Sequence, residues 1–383
     1  MFLSIPSIFT SVTISTSTST STSRQLRQLA TTKSYSAFQN SRPVSTAASA
    51  VTLPPIATEW CIAPSLPIMD YMDCNPNLPV NRLPVDGGLT NALKFILLGA
   101  IDSFEEGRCF YLDESTSKLF VKGQSSSGSS SESQHSLLTR YFEPIGLDPN
   151  SIVVQKALME DRVETRDWVK VFRPTEKRRI SGSSHNIPSL FDKTMEGHNL
   201  KTMSLKRMWR PLSLVRNSAC MALEQHHGLS NNDYMAFSVR RGDKHTVEHF
   251  TYPTADAYIT AATRAIETRF GGVVPKIFVA TDDCAVMREF RTLQPTWNFV
   301  GECDLVKNSA DHGFALTDMK EWSEEHTDQH YEKFMAELFG LAIAKHVVGV
   351  TYTNVSWWVL FMRGSLEGLE FVDDHNLADL SNW

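Results

Sequence analysis

The sequence lacks the short motifs that mark many metal and nucleotide sites. It contains no CxxC pair and no HExxH, so neither a structural nor a hydrolytic zinc site has a signature. GxxxxGK[ST] and GxGxxG are absent too, which removes support for a P-loop or a dinucleotide-binding fold. Any functional site therefore has to be sought in other patterns.

The sequence is also short of basic charge. Its formal net charge is -6 over 383 residues, and its one compact basic cluster, at 177–179, follows Glu176. We interpret that cluster as a solvated loop, because short charge runs usually are. A nucleic-acid partner, which requires a basic surface for the phosphate backbone, is not expected.

Cysteines are few for the chain length. Six in 383 residues argue against a disulfide scaffold. Cys61 and Cys74 are close enough in sequence to bridge in an oxidising compartment, and the sequence does not decide whether they do.

Acidic residues are missing from the N-terminal region, where the first is Glu59. Residues 1–58 are rich in Ser and Thr with scattered Arg and Lys, which fits a signal peptide, an organellar transit peptide or a disordered tail. No apolar run reaches the roughly 20 residues of a membrane-spanning helix. The run VVGVTYTNVSWWVLFM at 347–362 contains Thr, Asn and Ser, and we expect a buried strand leading into a helix there.

Strand and helix patterns alternate in the C-terminal half, which predicts an α/β fold with a parallel sheet covered by helices on both faces. Strands are expected at 234–240, 276–283, 297–300 and 346–352, and helices at about 254–269, 328–345 and from 356. The region 83–113 reads as a glycine turn, a helix and a short strand at 109–112. We predict an N-terminal domain at 59–212, with a Ser/Gly-rich insertion at 123–136, and a C-terminal domain at 213–383.

Polar residues follow three of the predicted strands. Ligands of open α/β sheets bind at the carboxyl ends of the strands, so these residues predict a pocket. They are Arg240, Arg241 and Asp243 after the first strand, Thr281, Asp282 and Asp283 after the second, and Thr351, Thr353 and Asn354 after the last.

The adjacent Arg240 and Arg241 cannot both face one ligand if the strand continues through them, because side chains alternate along a strand. One should face the pocket, and the other needs a carboxylate such as Asp282 or Asp283, since an unpaired buried charge is costly. A purely structural ion-pair network explains the same residues equally well.

Two further patterns bear on chemistry. Gly87 and Gly88 precede a helix, where backbone amides can approach an anion, although a GG pair is more often only a turn. Glu248 lies four residues after Lys244; a carboxylate can take a proton from a hydroxyl while a lysine stabilises charge, although such a pair is more often simply solvated.

The stretch VRRGDKHTVE at 239–248 resembles the first motif of the α1,6-fucosyltransferases and the related bacterial nodulation fucosyltransferases, VRRTDK with a glutamate four residues after the lysine. MWRP at 208–211, VATDD at 279–283 and VTYTN at 350–354 are similar to further family elements in the same order. The segment GGLTNALKFILLGAIDSFEEGRCFYLD is similar to the glycine loop and first helix-strand unit of the family. The resemblance covers roughly 83–364 and is specific at these motifs.

The resemblance implies a GT-B-like fold, in which two Rossmann-type domains with parallel sheets face each other across a cleft. It makes 59–212 the N-terminal Rossmann-like domain and 213–383 the C-terminal Rossmann-like domain that binds the nucleotide sugar. It also implies an inverting transfer of fucose from GDP-fucose to a glycan hydroxyl, with no metal and no cofactor beyond the donor. The sequence has no DxD triplet, which agrees with chemistry that needs no metal. A secretory-pathway or Golgi location is implied as well.

Carried over by position, the resemblance makes Glu248 the base, with Lys244 assisting it, and places Arg240 on the β-phosphate. Asp282 and Asp283 would support the arginines, and Glu337 would read the guanine. The remaining substrate-binding positions are Arg241, Asp243, Ser238, Thr351, Thr353, Asn354, Gly87 and Gly88. At Ser238 the chain departs from the family, which has a guanine-binding histidine there.

Two alternatives remain open. A protein O-fucosyltransferase would share the arginine more than it shares the glutamate at this spacing. A non-catalytic homologue that binds a nucleotide or a glycan is favoured by Ser238 and disfavoured by the retention of Arg240, Lys244 and Glu248 together.

Overall fold

The fold is taken from a computed structural model of the chain. It describes residues 60–61, 74–85, 89–114, 137–165, 202, 204–229, 231–241, 252–304 and 322–373. The predicted leader at 1–58 and the Ser/Gly-rich insertion at 123–136 lie outside these residues. The domain division near 212 stays a prediction.

The first half of the chain forms a small parallel sheet. Its strands are β1 (Val80–Pro84), β2 (Phe110–Asp113) and β3 (Val163–Thr165), in the order β2-β1-β3. The accompanying helices are α1 (Leu89–Glu105), α2 (Leu137–Tyr141) and α3 (Ile152–Met159). Sequence patterns predict α1 and β2 but miss β1 and β3, because VNRLP and VET are too short and too polar to show a strand period.

The second half forms a larger parallel sheet with the order β6-β5-β4-β7-β8. Its strands are β4 (Met235–Val239), β5 (Ile277–Thr281), β6 (Phe299–Val300), β7 (His346–Gly349) and β8 (Leu369–Phe371). Its helices are α4 (Ser213–Met221), α5 (Ala255–Arg269), α6 (Ala285–Leu293), α7 (Glu324–Ile343) and α8 (Asn354–Arg363). Helices α5 and α6 cover one face while α7 and α8 cover the other. The predicted α/β class with two parallel sheets is confirmed.

Helix ends follow local capping chemistry. Helix α7 begins four residues before the predicted start, because the Ser323 hydroxyl accepts a hydrogen bond from the His326 amide. Helix α5 ends as predicted before Gly271 and Gly272, which have positive φ angles, and the Gly272 amide donates to the Ile266 carbonyl. Among the described helices, none is long and apolar enough to cross a membrane.

Trp209, from the MWRP element, packs at the centre of the largest core. Its ring lies 5.4 Å from Trp358 of α8, 6.0 Å from Phe339 of α7 and 6.0 Å from Phe142. The same apolar cluster includes Leu93 of α1. The tryptophan of MWRP is therefore explained by packing, since Trp209 is 1% exposed.

All six cysteines are paired, which corrects the expectation from their number. Cys61 bonds to Cys220 and Cys74 to Cys109, so the possible Cys61–Cys74 pair does not form, and Cys284 bonds to Cys303. Distance along the chain misleads here because sheet pairing decides proximity. A bridge between Asn75 and Arg108 brings Cys74 and Cys109 side by side.

Gly340 tests the packing of α7 on β5. A Cβ at Gly340 would lie 2.4 Å from Cε1 of Phe278, so the helix needs glycine to approach the strand. We expect Gly340→Ala to lower the free energy of unfolding by about 1–3 kcal/mol, the usual cost of overpacking. Chemical denaturation measures it. In a Phe278→Leu background the same change should cost less; equal costs in both backgrounds would contradict this packing.

Candidate active site

The candidate site lies where the strands of the larger sheet end. β5, β4 and β7 are neighbours and parallel, so their carboxyl ends share one edge. Arg240 follows β4, Asp282 follows β5 and Thr351 follows β7. The three predicted groups of polar residues are thus brought to one edge.

Arg240 is held by Asp282. Phe237 and Val239 pack against the α5/α6 side of the sheet and Ala236 against the α7/α8 side, so alternation places Arg240 on the α7 side. Its Nη1 lies 2.7 Å from Oδ2 of Asp282, whose side chain is only 5% exposed. The pair fixes a cation at the sheet edge, and the Arg240 side chain keeps 25% of its surface exposed.

Arg241 points to the opposite side, as alternation predicts. Its guanidinium donates to both carboxylate oxygens of Glu289 on α6, over 2.6 and 2.8 Å. These hydrogen bonds raise the pKa of Arg241. Its backbone amide donates to Oδ1 of Asp282 over 2.9 Å, so one buried carboxylate holds both arginines. Sequence reasoning missed Glu289 as the side-chain partner, since a helical carboxylate gives no signal of what it faces across a sheet.

Asp283 shapes the loop after β5. Its amide donates to Oγ1 of Thr281 over 3.1 Å, and its Oδ1 accepts from the amide of Ala285 over 3.0 Å at the start of α6. The next residue, Cys284, is bonded to Cys303. The loop that carries Asp282 is therefore constrained by the hydrogen bonds of Asp283 and by a disulfide.

Glu337 lies on α7 below this edge. Its Oε1 accepts from the amide of Thr281 over 3.4 Å and lies 3.9 Å from Nζ of Lys333. The residue is 8% exposed. Burial raises its pKa to about 8, and the charges of Glu302 and Asp282 act in the same direction. At neutral pH Glu337 is mostly protonated.

His330 is a site residue that sequence reasoning missed. It lies two turns above Glu337 on α7, between Trp322 and Phe334, with ring centroids 5.1 and 6.5 Å away. Burial lowers its pKa to about 3, and the charges of Lys333 and Arg240 add to the effect. Its imidazole is therefore neutral near pH 7. The spacing of Trp322, His326, His330 and Phe334 at intervals of four was the available signal.

The end of β7 forms a tight turn into α8. The amide and Oγ1 of Thr351 donate to Oδ2 of Asp373 over 2.7 and 2.5 Å. Oγ1 of Thr353 caps α8 by accepting from the Ser356 amide over 3.2 Å, and Asn354 is the first helical residue. The N-terminus of α8, with its partial positive charge, thus opens at the same edge as Arg240.

Ser238 is buried on β4, next to Gly349 of the neighbouring strand β7. It is 5% exposed, and a Cβ at Gly349 of β7 would lie 3.4 Å from its own Cβ. Its carbonyl accepts from the Tyr258 hydroxyl over 3.1 Å. The space beside Gly349 and Ser356 amounts to only about 10 Å³, which is too small for a nucleobase.

Several predicted site residues lie outside the described part of the chain. They are Gly87, Gly88, Asp243, Lys244 and Glu248. Helix α1 does begin at Leu89, directly after the glycine pair. Within the described ranges, no group of three His, Cys, Asp or Glu side chains could hold a metal ion.

The two arginine partners offer a matched test. Asp282→Asn keeps an acceptor for the Arg241 amide but removes the charge beneath Arg240, and we expect it to cost about 2 kcal/mol of unfolding free energy, as for hydrogen bonds to charged groups. Glu289→Gln removes the partner of Arg241 in a pair whose carboxylate is 44% exposed, and it should cost less than about 1 kcal/mol. Urea denaturation of both variants checks the order; a larger loss for Glu289→Gln would contradict it.

No protein-family model matches the chain, and no curated protein matches it. Solved structures with a similar arrangement include the α-1,6-fucosyltransferase NodZ soaked with GDP-fucose, at 14% identity and a TM-score of 0.43 over 75% of this chain and 93% of that one. POFUT1 in complex with GDP has 12% identity and a TM-score of 0.42, over 78% of this chain and 99% of that one. A mutant of Arabidopsis thaliana FUT1 in complex with GDP has 12% identity and a TM-score of 0.40, over 75% and 69% of the two chains. Identities and TM-scores this low assign no family, so the function rests on the site itself.

Proposed function

We propose that the chain is an inverting fucosyltransferase that moves fucose from GDP-fucose to a glycan hydroxyl and needs no metal. The observation that carries the proposal is the Arg240–Asp282 pair: a cation held at the carboxyl end of β4, within the VRRGDKHTVE motif. A guanidinium there suits the developing charge of a diphosphate leaving group.

In the proposed reaction, the bond between C1 of fucose and the β-phosphate oxygen breaks as the acceptor oxygen attacks C1 from the opposite face. Glu248 takes the proton of the acceptor hydroxyl, and Lys244 stabilises the negative charge of the Glu248 carboxylate before that transfer. Arg240 neutralises the departing diphosphate. The protein supplies position and charge, and the products are GDP and the fucosylated glycan.

The edge around Arg240 supports diphosphate binding. Helix α8 directs its capped N-terminus to the same edge, where Thr351, Thr353 and Asn354 are proposed diphosphate contacts. Gly87 and Gly88, before α1, and Asp243, after Arg241, are proposed to complete the donor site. Arg241 contributes indirectly, because its amide fixes Asp282.

Glu337 is proposed to read the guanine by accepting from its two N–H donors. That contact requires the ionised form of Glu337, whereas burial keeps this side chain mostly protonated near neutral pH in the protein without GDP. Guanine binding would therefore release a proton. Ser238, buried against β7, is proposed to have no direct part in reading the base, unlike the histidine of the family it resembles.

The disulfides bear on location. Three disulfides persist in oxidising compartments and are rare in the cytosol. We propose that the chain works in the lumen of the secretory pathway, with the Golgi as the family resemblance suggests.

A second candidate is a non-catalytic protein that binds a nucleotide or a glycan. Ser238, which stands buried where the family that the chain resembles has a guanine-binding histidine, favours it. Turnover separates the two candidates.

The catalytic proposal is tested by GDP release from GDP-fucose with a panel of glycan acceptors. We expect wild-type turnover, and a loss on the order of 10²–10⁴-fold for Glu248→Gln, the usual contribution of a general base. Arg240→Ala should lose about 2–3 kcal/mol or more of transition-state stabilisation. Arg240→Lys controls for charge without the guanidinium geometry. Tight GDP binding without turnover on any acceptor would identify the binding protein instead.

The guanine contact predicts a pH dependence. Only the ionised form of Glu337 accepts from guanine, and the pKa of Glu337 in the protein without GDP is about 8. The affinity for GDP should therefore rise by up to about tenfold per pH unit from pH 6.5 to 8 and level off above pH 8. Calorimetric titration of wild type and Glu337→Gln separates this rise from the ionisation of the phosphates, which both share. Parallel pH profiles for the two proteins would refute the role of Glu337.

A further inference from the structure

A groove lies on the side of the sheet opposite α7, between the start of α5 and α6. Its volume is about 690 Å³, within the roughly 300–1,000 Å³ of ligand-binding pockets. Its polar lining includes Arg241, Tyr252, Asp256, Arg288 and Glu289. None of the roles proposed above uses this space.

Among the lining residues that the structure describes, the charges cancel. Arg241 and Arg288 supply two positive charges, and Glu289 and Asp256 supply two negative ones. Arg241 donates two hydrogen bonds to Glu289. The Glu289 side chain remains 44% exposed, so its carboxylate oxygens can accept further hydrogen bonds on their exposed side. A balanced lining gives no net attraction for a phosphate or a cation, but it offers many donors and acceptors to a neutral polyol.

The groove also carries uncharged groups suited to sugar hydroxyls. Thr254 precedes α5 without using its side chain as a cap, so the helix does not occupy its hydroxyl. The Tyr252 hydroxyl donates to the carbonyl of Arg241, which fixes the tyrosine at the groove. A positioned aromatic ring beside convergent hydrogen-bonding groups is a typical arrangement for binding a sugar.

The position of the groove connects it to the candidate site. It starts at Arg241, the residue after Arg240, and follows α6 from Ala285 to Leu293, a rise of about 12 Å over eight residues. That length exceeds one sugar ring. An occupant would extend from the carboxyl edge of the sheet down its flank.

We propose that this groove binds an uncharged oligosaccharide segment of the acceptor, which makes the acceptor an extended neutral glycan. The inference rests on the proposed fucosyl transfer for its biological meaning. Binding of the glycan by the groove can be measured without turnover.

Thr292→Trp tests the groove, and Thr268→Trp is its matched control. Both threonines are exposed on helices, and both hydroxyls donate to the carbonyl four residues earlier over 2.8 Å, but only Thr292 lines the groove. A tryptophan at 292 would fill part of the groove, and we expect it to weaken binding of neutral oligosaccharides by at least about tenfold. Thr268→Trp should bind like wild type.

Binding is measured on an array of neutral, sialylated and sulfated oligosaccharides, and the acceptor KM and donor KM are measured in parallel. The proposal predicts a raised acceptor KM with an unchanged donor KM in Thr292→Trp. Absence of glycan binding by wild type, equal binding by the two variants, or a preference for acidic glycans would overturn it. If wild type binds neutral glycans through the groove but releases no GDP, the transferase proposal fails while the groove assignment stands.

Discussion

The site depends on one buried carboxylate. Asp282 is nearly inaccessible, yet its two oxygens contact the Arg240 guanidinium and the Arg241 amide. A buried charge is tolerated only where it is paired and hydrogen-bonded, and here the pairing determines where the cation lies. Because β4 and β5 are paired through Val239 and Thr281, the carboxylate and the guanidinium meet at the first residues after the strands. The register of β4 against β5 thus fixes where these two charges lie at the carboxyl edge of the sheet.

Several independent constraints hold that carboxylate in place. The Cys284–Cys303 disulfide closes the loop behind it, and Asp283 accepts a hydrogen bond from the Ala285 amide at the start of α6. Gly340 lets α7 approach β5 closely enough to bring Glu337 under Thr281. Alternation along β4 then separates two functions on adjacent arginines. Arg240 faces the α7 side and the proposed donor, while Arg241 faces the groove between α5 and α6. In this account a two-residue period turns one motif into two binding surfaces on opposite faces of a sheet.

Much of the larger sheet could be predicted from the sequence, because its strands are short apolar runs that end in polar residues and its helices have clear ends. Of the small sheet only β2 could be predicted, since VNRLP and VET carry too little apolar pattern. The arginine partners show a similar limit: Asp282 is adjacent to a strand end and was anticipated, whereas Glu289 and His330 lie on helices whose facing elements only the fold determines. The disulfide pairs could not be predicted for the same reason, because the fold determines which cysteines meet. The roles of Lys244 and Glu248 stay predictions, outside the described residues.

A crystal structure of the chain with GDP would show whether Arg240 binds the diphosphate. We expect the Arg240 guanidinium to lie within hydrogen-bonding distance of a β-phosphate oxygen, at about 2.7–2.9 Å, while it still contacts Asp282. The N-terminus of α8 should border the same diphosphate. A diphosphate bound away from the carboxyl edge of β4, with Arg240 contacting only protein, would contradict the account.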